Sequence, residues 1–268
     1  MRLQILIDNR PDSAEKLFSE HGLCIYMEIG DKRFLVDTGL TGRAMDNAAA
    51  LGVDVSCVDY LILSHGHKDH TGGLGRFAEC NRDARIVGSR MILDCDYTSD
   101  SRGYRHSLNP DRCMIEENAA RFCWVGRDGL FAVSCNDNIM VAAGACNAGG
   151  APRPRGNRLL RVNGDPYNGE DELVITAVED GRLTVVSPCS HSGLGNIIKC
   201  AEERTGLRCS TFVGGLHLID GEGDMDGMAV GCDIGKIYTG HCTGMEALER
   251  LRAMAGVEVF RTGDVIYC

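Results

Sequence analysis

Long apolar runs are missing from this sequence. No stretch approaches the ~20 apolar residues that a membrane-spanning helix needs. The opening Met1–Asp8 alternates in character and lacks the continuous apolar segment of a secretory signal. These absences predict a soluble, cytoplasmic protein with no membrane partner. No block of Lys or Arg occurs, and the formal charge is −10. A nucleic-acid surface would need a basic stripe, so a nucleic-acid partner is not expected. Cys-x-x-Cys is also absent, although 14 Cys are scattered through the chain. Without that spacing there is no basis for a zinc ribbon or a ferredoxin-type cluster. A disulfide framework belongs to small secreted chains, so most of the Cys are expected as buried small hydrophobes in a reducing cytosol. The 268 residues fit one large domain or one domain with an insertion, and 44% hydrophobic residues can fill a sizeable core.

What the sequence does contain is a concentration of metal-competent side chains. The stretch Leu61-Ile62-Leu63-Ser64-His65-Gly66-His67-Lys68-Asp69-His70-Thr71-Gly72-Gly73 holds three of the 8 His. The apolar run Tyr60–Leu63 reads as a buried strand, and Gly72-Gly73 permits a tight turn into a helix. His65, His67, Asp69 and His70 therefore sit where a strand ends and a loop begins. Imidazole and carboxylate suit zinc, iron or manganese better than copper(I).

The rest of the chain reads as alternating strands and helices, which argues for an α/β layered fold. Residues 1–8 predict an edge strand, and Ser13–Glu20 is helix-permissive. Leu23–Ile29 and Lys32–Asp37 form a hairpin around Gly30-Asp31. Asp37 ends that hairpin; either Asp37 or Thr38 caps the helix Arg43–Leu51, or Asp37 supports a metal-binding His, and both can hold together. Later strands at Leu183–Ser187, Thr211–Val213 and Lys236–Thr239 each deliver a His-bearing loop: His191, His217 and His241. Ligands that converge at strand ends make a composite metal site, with His191 and His241 expected as ligands. His217, flanked by Leu216 and Leu218, is expected as a ligand, an acid/base, or a satisfied core His. Between Asp96 and Glu170 the signal weakens, and a variable pocket or lid insertion is expected at about 96–170. Its Arg102, Arg105 and Arg112 around His106 could clamp a phosphate or carboxylate, or could simply be solvated. The Gly/Pro/Arg-rich Asn147–Arg158 reads as a long loop.

The His-x-His-x-Asp-His order resembles the signature of the metallo-β-lactamase superfamily, as does the early strand-end Asp37-Thr38-Gly39. Cys189-Ser190-His191-Ser192-Gly193, Gly214-Gly215-Leu216-His217-Leu218 and Gly240-His241-Cys242-Thr243-Gly244 are similar to its 7,8-dihydropterin-6-yl-methyl-4-(β-D-ribofuranosyl)aminobenzene 5′-phosphate synthase-like branch. The resemblance implies a four-layered αββα sandwich as one domain, 1–268. It implies His65 and His67 on a first metal and Asp69 and His70 on a second, with His191 nearer the first and His241 nearer the second. One or two Zn²⁺ are implied, with Mn²⁺, Fe²⁺ or Mg²⁺ as alternatives. The superfamily's bridging Asp on a late strand has no counterpart: Ser187-Pro188-Cys189-Ser190-His191 carries no carboxylate. Cys189 or Cys242 could serve as thiolate ligands. With no bridging charge, two cations ~4 Å apart repel by roughly 4 kcal/mol per unit-charge pair at an effective dielectric near 20, so the second metal is expected to bind more weakly.

The function implied is a metal-dependent hydrolase or transferase acting on a small molecule, phosphorylated or pterin-like, with Asp69 and His217 as catalytic candidates. Paired metals either activate water or grip a diphosphate leaving group. The reaction suggested by the branch joins a dihydropterin methyl group to a ribofuranosylaminobenzene phosphate and releases diphosphate. The alternatives are a di-iron redox protein on the same fold and a non-enzymatic metal-binding module. In flavodiiron relatives, however, a Glu typically stands where this chain has His67.

Overall fold

The computed structural model describes residues 1–126, 128–144, 153–218, 233–252 and 256–268. Two seven-stranded sheets form its centre. The first runs Val265–Tyr267, Arg2–Ile7, Cys24–Ile29, Lys32–Val36, Tyr60–Ile62, Arg85–Ser89, Phe122–Val125 from edge to edge. The second runs Val257–Val259, Lys236–Thr239, Cys209–Gly214, Arg182–Val186, Leu173–Glu179, Asn138–Gly144, Leu130–Cys135.

Three hydrophobic clusters correspond to the three interfaces of the layered stack. Leu3, Ile25 and Phe34 of the first sheet meet Met140, Ile175 and Val213 of the second. On the outer face of the first sheet, Leu35, Leu61 and Ile86 pack with Ala44, Ala48 and Phe77 of the helices Arg43–Ala50 and Leu74–Cys80. On the outer face of the second, Val185 and Phe212 pack with Ile197, Ala201 and Leu251 of the helices Leu194–Thr205 and Met245–Arg252. The order is αββα. A strand buried on both faces has no polar side to show, which explains why Tyr60–Leu63 reads as an uninterrupted apolar run.

Within each sheet the strands nearest the site are parallel. Lys32–Val36 pairs with Tyr60–Ile62 and that with Arg85–Ser89; Arg182–Val186 pairs with Cys209–Gly214 and that with Lys236–Thr239. Parallel strands place their carboxyl ends on one edge, where ligands of α/β sheets collect. Asp37, the His65–His70 loop, His191, His217 and His241 all follow such ends.

Several local expectations changed. Ser13–Glu20 has no helix: the Asp12 carboxylate accepts from the backbone of Ala14 and Leu17, and Asn47 accepts from Phe18 N–H, fixing an irregular turn. Gly42, not Asp37, precedes the helix Arg43–Ala50. Residues 96–170 divide between two roles. Phe122–Val125, Leu130–Cys135 and Asn138–Gly144 extend the main sheets. Tyr97–Ser99, His106–Ser107, Leu160–Val162 and Asp165–Pro166 form a separate four-stranded sheet, filled by Tyr97, Leu160, Val162 and Tyr167. The Asn147–Arg158 loop lies partly outside the described residues. Among the described residues no helix is long and apolar enough to cross a membrane, and their Cys are free thiols.

Candidate metal centre

Local backbone geometry at the strand ends is unusual. Asp37, Ser190, His217 and His241 all have positive φ, between 49° and 59°. L-residues enter this region only at a cost of roughly 1–2 kcal/mol each, and such strain gathers where side chains must be aimed. The glycines beside them make the close approach feasible. A Cβ on Gly66 would stand 2.4 Å from the Tyr97 ring, and one on Gly214 only 1.8 Å from the Ser187 carbonyl.

The side chains aimed by these turns form two triads. In the first, His65 Nε2 lies 3.0 Å from His67 Nδ1 and 3.3 Å from His191 Nε2. In the second, His70 Nε2 lies 3.1 Å from His241 Nε2, and Asp69 Oδ2 stands 3.5 Å and 3.6 Å from these two nitrogens. The far side of each ring is held. Asp37 Oδ2 accepts from His70 Nδ1 at 2.7 Å and from Ser64 Oγ, which in turn accepts from His65 Nδ1 at 2.9 Å. Asn157 Oδ1 accepts from His191 Nδ1 and Asn9 Oδ1 from His241 Nδ1, each at 3.0 Å.

That wiring tests whether a metal fits. Each outer bond takes an Nδ1 proton of His65, His191, His70 and His241, so in the neutral rings of the first triad, His65 and His191, each Nε2 presents a bare lone pair toward the other. Two lone pairs at 3.3 Å cannot hydrogen-bond to each other; a cation between them resolves the conflict. His67 Nε2 and His217 Nε2 are buried without a partner. The donor separations of 3.0–3.6 Å match the edge of a tetrahedron about a zinc ion with ligands at about 2.0–2.1 Å. The residues therefore fit the metal that the donor chemistry implies.

Electrostatics separate the two triads. Burial drives His65, His191 and His241 well below the usual imidazole range, and takes His67 down to about 3. At His70 burial is outweighed by the carboxylates of Asp69 and Asp37, which push it up to about 9. At Asp69 burial, which would raise the carboxyl, is outweighed by His70, His241 and His21, which hold it below the carboxylate range. A proton on His70 can thus satisfy the metal-free second triad; the first has no comparable proton.

Cys189 stands between the triads. Its Sγ lies within 4.8 Å of donor atoms of His65 and His191, and equally of His70 and His241. Cys242 Sγ is 3.3 Å away and His217 Nδ1 3.6 Å away. Burial and the adjacent sulfur raise the Cys189 thiol; at Cys242 burial is outweighed by the Cys189 thiol and His217, which lower it.

Further residues brace the centre. Glu172 Oε1 and Oε2 accept from the backbone N–H of His191 and Ser192. Asp171 accepts from Gly66 N–H and from the hydroxyls of Tyr97 and Tyr167. Burial raises both carboxyls.

The triads open onto a cavity of about 640 Å³ whose lining includes His67, Asp69, Cys189, His191, His217 and His241. Its rim carries Lys68, Arg102 and His106. Of the expected Arg cluster only Arg102 lines the cavity: Arg105 is engaged by Asp100, and Arg112 donates to the Cys95 carbonyl.

Sequence reasoning missed His21, whose Nε2 lies 3.4 Å from Asp69 Oδ2. It also missed Asn9, Asn157, Asp171 and Glu172. None of these adjoins a metal-type motif in sequence; only the fold brings them to the centre.

The fold and the site are similar to those of the metallo-β-lactamase superfamily. Residues 19–89 match the family model for that superfamily. A solved metal-dependent hydrolase of the β-lactamase superfamily superposes with a TM-score of 0.78 at 23% identity, covering 100% of this chain and 99% of that one. Zn²⁺-bound PqqB from Methylobacterium extorquens does so with a TM-score of 0.64 at 12% identity, covering 100% of both chains. More particularly, the chain is similar to the 7,8-dihydropterin-6-methyl-4-(β-D-ribofuranosyl)-aminobenzene-5′-phosphate synthase of Methanocaldococcus jannaschii. The two are 28% identical over 92% of this chain and 89% of that protein. A shorter match, 37% identical over 32% of this chain and 35% of the other, is to a metal-dependent hydrolase of Staphylococcus carnosus.

Proposed function

We propose that this protein is a metal-dependent transferase that joins a dihydropterin methyl diphosphate to the aromatic amine of a ribofuranosylaminobenzene phosphate. The observation that carries the reading is the pair of donor triads on the floor of a cavity whose rim is cationic. The likeness to the synthase, which extends over 92% of this chain, supports the choice of substrates.

A bound pair of divalent cations would supply Lewis acidity toward phosphate oxygens, with His65, His67 and His191 holding one and Asp69, His70 and His241 the other. The chain's own residues do the rest. Lys68 and Arg102 at the rim receive phosphate groups as charge-assisted partners. The apolar wall built on Leu108, Leu159 and Leu160 keeps the cavity poor in water. In the transfer the methylene–oxygen bond to diphosphate breaks, a methylene–nitrogen bond forms, and the amine loses one proton. His217 Nε2, buried without a partner at the cavity wall, is placed to take that proton.

The test is incubation of the metal-loaded protein with both substrates, followed by mass spectrometry of the products. The expected result is the coupled pterin–arylamine phosphate together with stoichiometric diphosphate. Hydrolysis of the diphosphate ester without coupling would overturn the transferase reading in favour of a hydrolase.

A further inference from the structure

We propose that Cys189 is the bridging ligand of the metal centre, its thiolate taking the place of the carboxylate that the strand end lacks. Three observations carry this. Among the described residues Cys189 Sγ is the one atom grouped with donors of both triads, His65 and His191 on one side and His70 and His241 on the other. It is buried, at 3% exposure, at the end of the strand Arg182–Val186, two residues before the ligand His191. The backbone there is pinned: Gly215 N–H donates to the Pro188 carbonyl at 2.9 Å, and Glu172 accepts from His191 N–H.

The charge argument points the same way. The two triads together contain one carboxylate, that of Asp69, and five imidazoles, which carry no charge as metal ligands. A thiolate between the cations adds the second negative charge and lies close to both. Soft sulfur beside imidazole nitrogen also favours zinc, iron or cobalt over magnesium, which prefers an all-oxygen shell. Cys242, 3.3 Å from Cys189, is grouped with Cys189 and His217 but with neither triad. It stands behind the bridge rather than in it.

A consequence is that the second metal is not the weak partner that the absent carboxylate suggests. Both metals are retained, because the bridge stabilises both. The inference rests on the dinuclear reading of the triads, and the experiment separates the two. The apo protein is reconstituted with Co²⁺; bound metal is counted by elemental analysis and the near-ultraviolet thiolate-to-cobalt charge-transfer band is recorded. The wild-type chain is expected to hold two Co²⁺ and to show the band. Cys189→Ser is expected to lose the band and to drop toward one metal. Cys189→Asp is expected to restore two metals without the band, and this rescue also shows that the fold tolerates change at the position. Cys242→Ser is expected to keep both metals and the band. Two metals and an undiminished band in Cys189→Ser, or loss of the band in Cys242→Ser alone, would overturn the bridge while leaving the dinuclear centre intact. A wild-type chain that binds no Co²⁺ would overturn both readings.

Discussion

At the scale of single residues, the centre depends on side chains that would never touch a metal. Asp37 is fully buried and accepts from His70 Nδ1, Ser64 Oγ and Ser64 N–H, so one carboxylate orients a ring in each triad. Groups that fix a ligand's tautomer and orientation typically govern about 10–100-fold in metal affinity. Asp37→Ala is accordingly expected to weaken metal binding by about that factor, with the larger loss at the second triad, where the contact to His70 is direct. Titration against a chelator of known affinity reads this; unchanged affinity at both sites would show that Asp37 is a structural residue only. Asp37 was legible in the sequence as a strand-end carboxylate, but its partner was not. The two residues that hold His191 and His241, Asn157 and Asn9, lie in stretches without any motif.

At the scale of elements, the loops matter more than the strands they follow. Gly72 has an ordinary helical φ of −67°, so backbone conformation alone would admit Gly72→Ala. A Cβ there would stand 2.1 Å from the Leu40 carbonyl and 2.7 Å from that of Lys68. Those are backbone atoms with no room to yield, so the expected outcome is destabilisation of at least about 2 kcal/mol, measured as a lower urea midpoint. An unchanged midpoint would mean that the Leu40 segment moves freely. The small four-stranded sheet offers a second test. Arg102 lies between its strands Tyr97–Ser99 and His106–Ser107 and lines the cavity. Because the side chain is exposed, its contribution to anion binding is modest, about 1 kcal/mol. Arg102→Ala is expected to weaken diphosphate binding by about fivefold, an effect that shrinks as salt is added. Calorimetry at two ionic strengths checks both features. This sheet was not read from the sequence because its strands are two or three residues long and come from distant segments. Asn138–Gly144 was missed for a related reason: its burial pattern lacks clean alternation.

At the scale of the whole molecule, the candidate metal centre lies where the two sheets meet. His65, His67, Asp69 and His70 follow a strand of the first sheet, whereas His191 and His241 follow strands of the second. Metal bound by both halves stabilises the folded state by mass action, about 2.7 kcal/mol at a hundredfold excess over the dissociation constant. For a chain of this size that corresponds to a rise of roughly 5–10 °C in Tm. Calorimetry of apo and zinc-loaded protein is expected to show it, and chelation to reverse it. An equal Tm in both states would argue that the triads are assembled by packing alone and that the ion adds nothing to the fold.

The sequence by itself determined the donor chemistry and the places where it would appear. His, Asp and Cys at the ends of apolar runs are local facts, and a buried strand followed by Gly-rich polar residues is written in consecutive positions. Only the tertiary structure decided which donors come together. His65 and His191 are separated by 126 positions along the chain and by 3.3 Å in space, and the same packing sets Cys189 between the triads and His21 beside Asp69. Ligand type is a property of a side chain. Ligand geometry is a property of how two sheets stack, which depends on residues from Leu3 to Phe260 acting together.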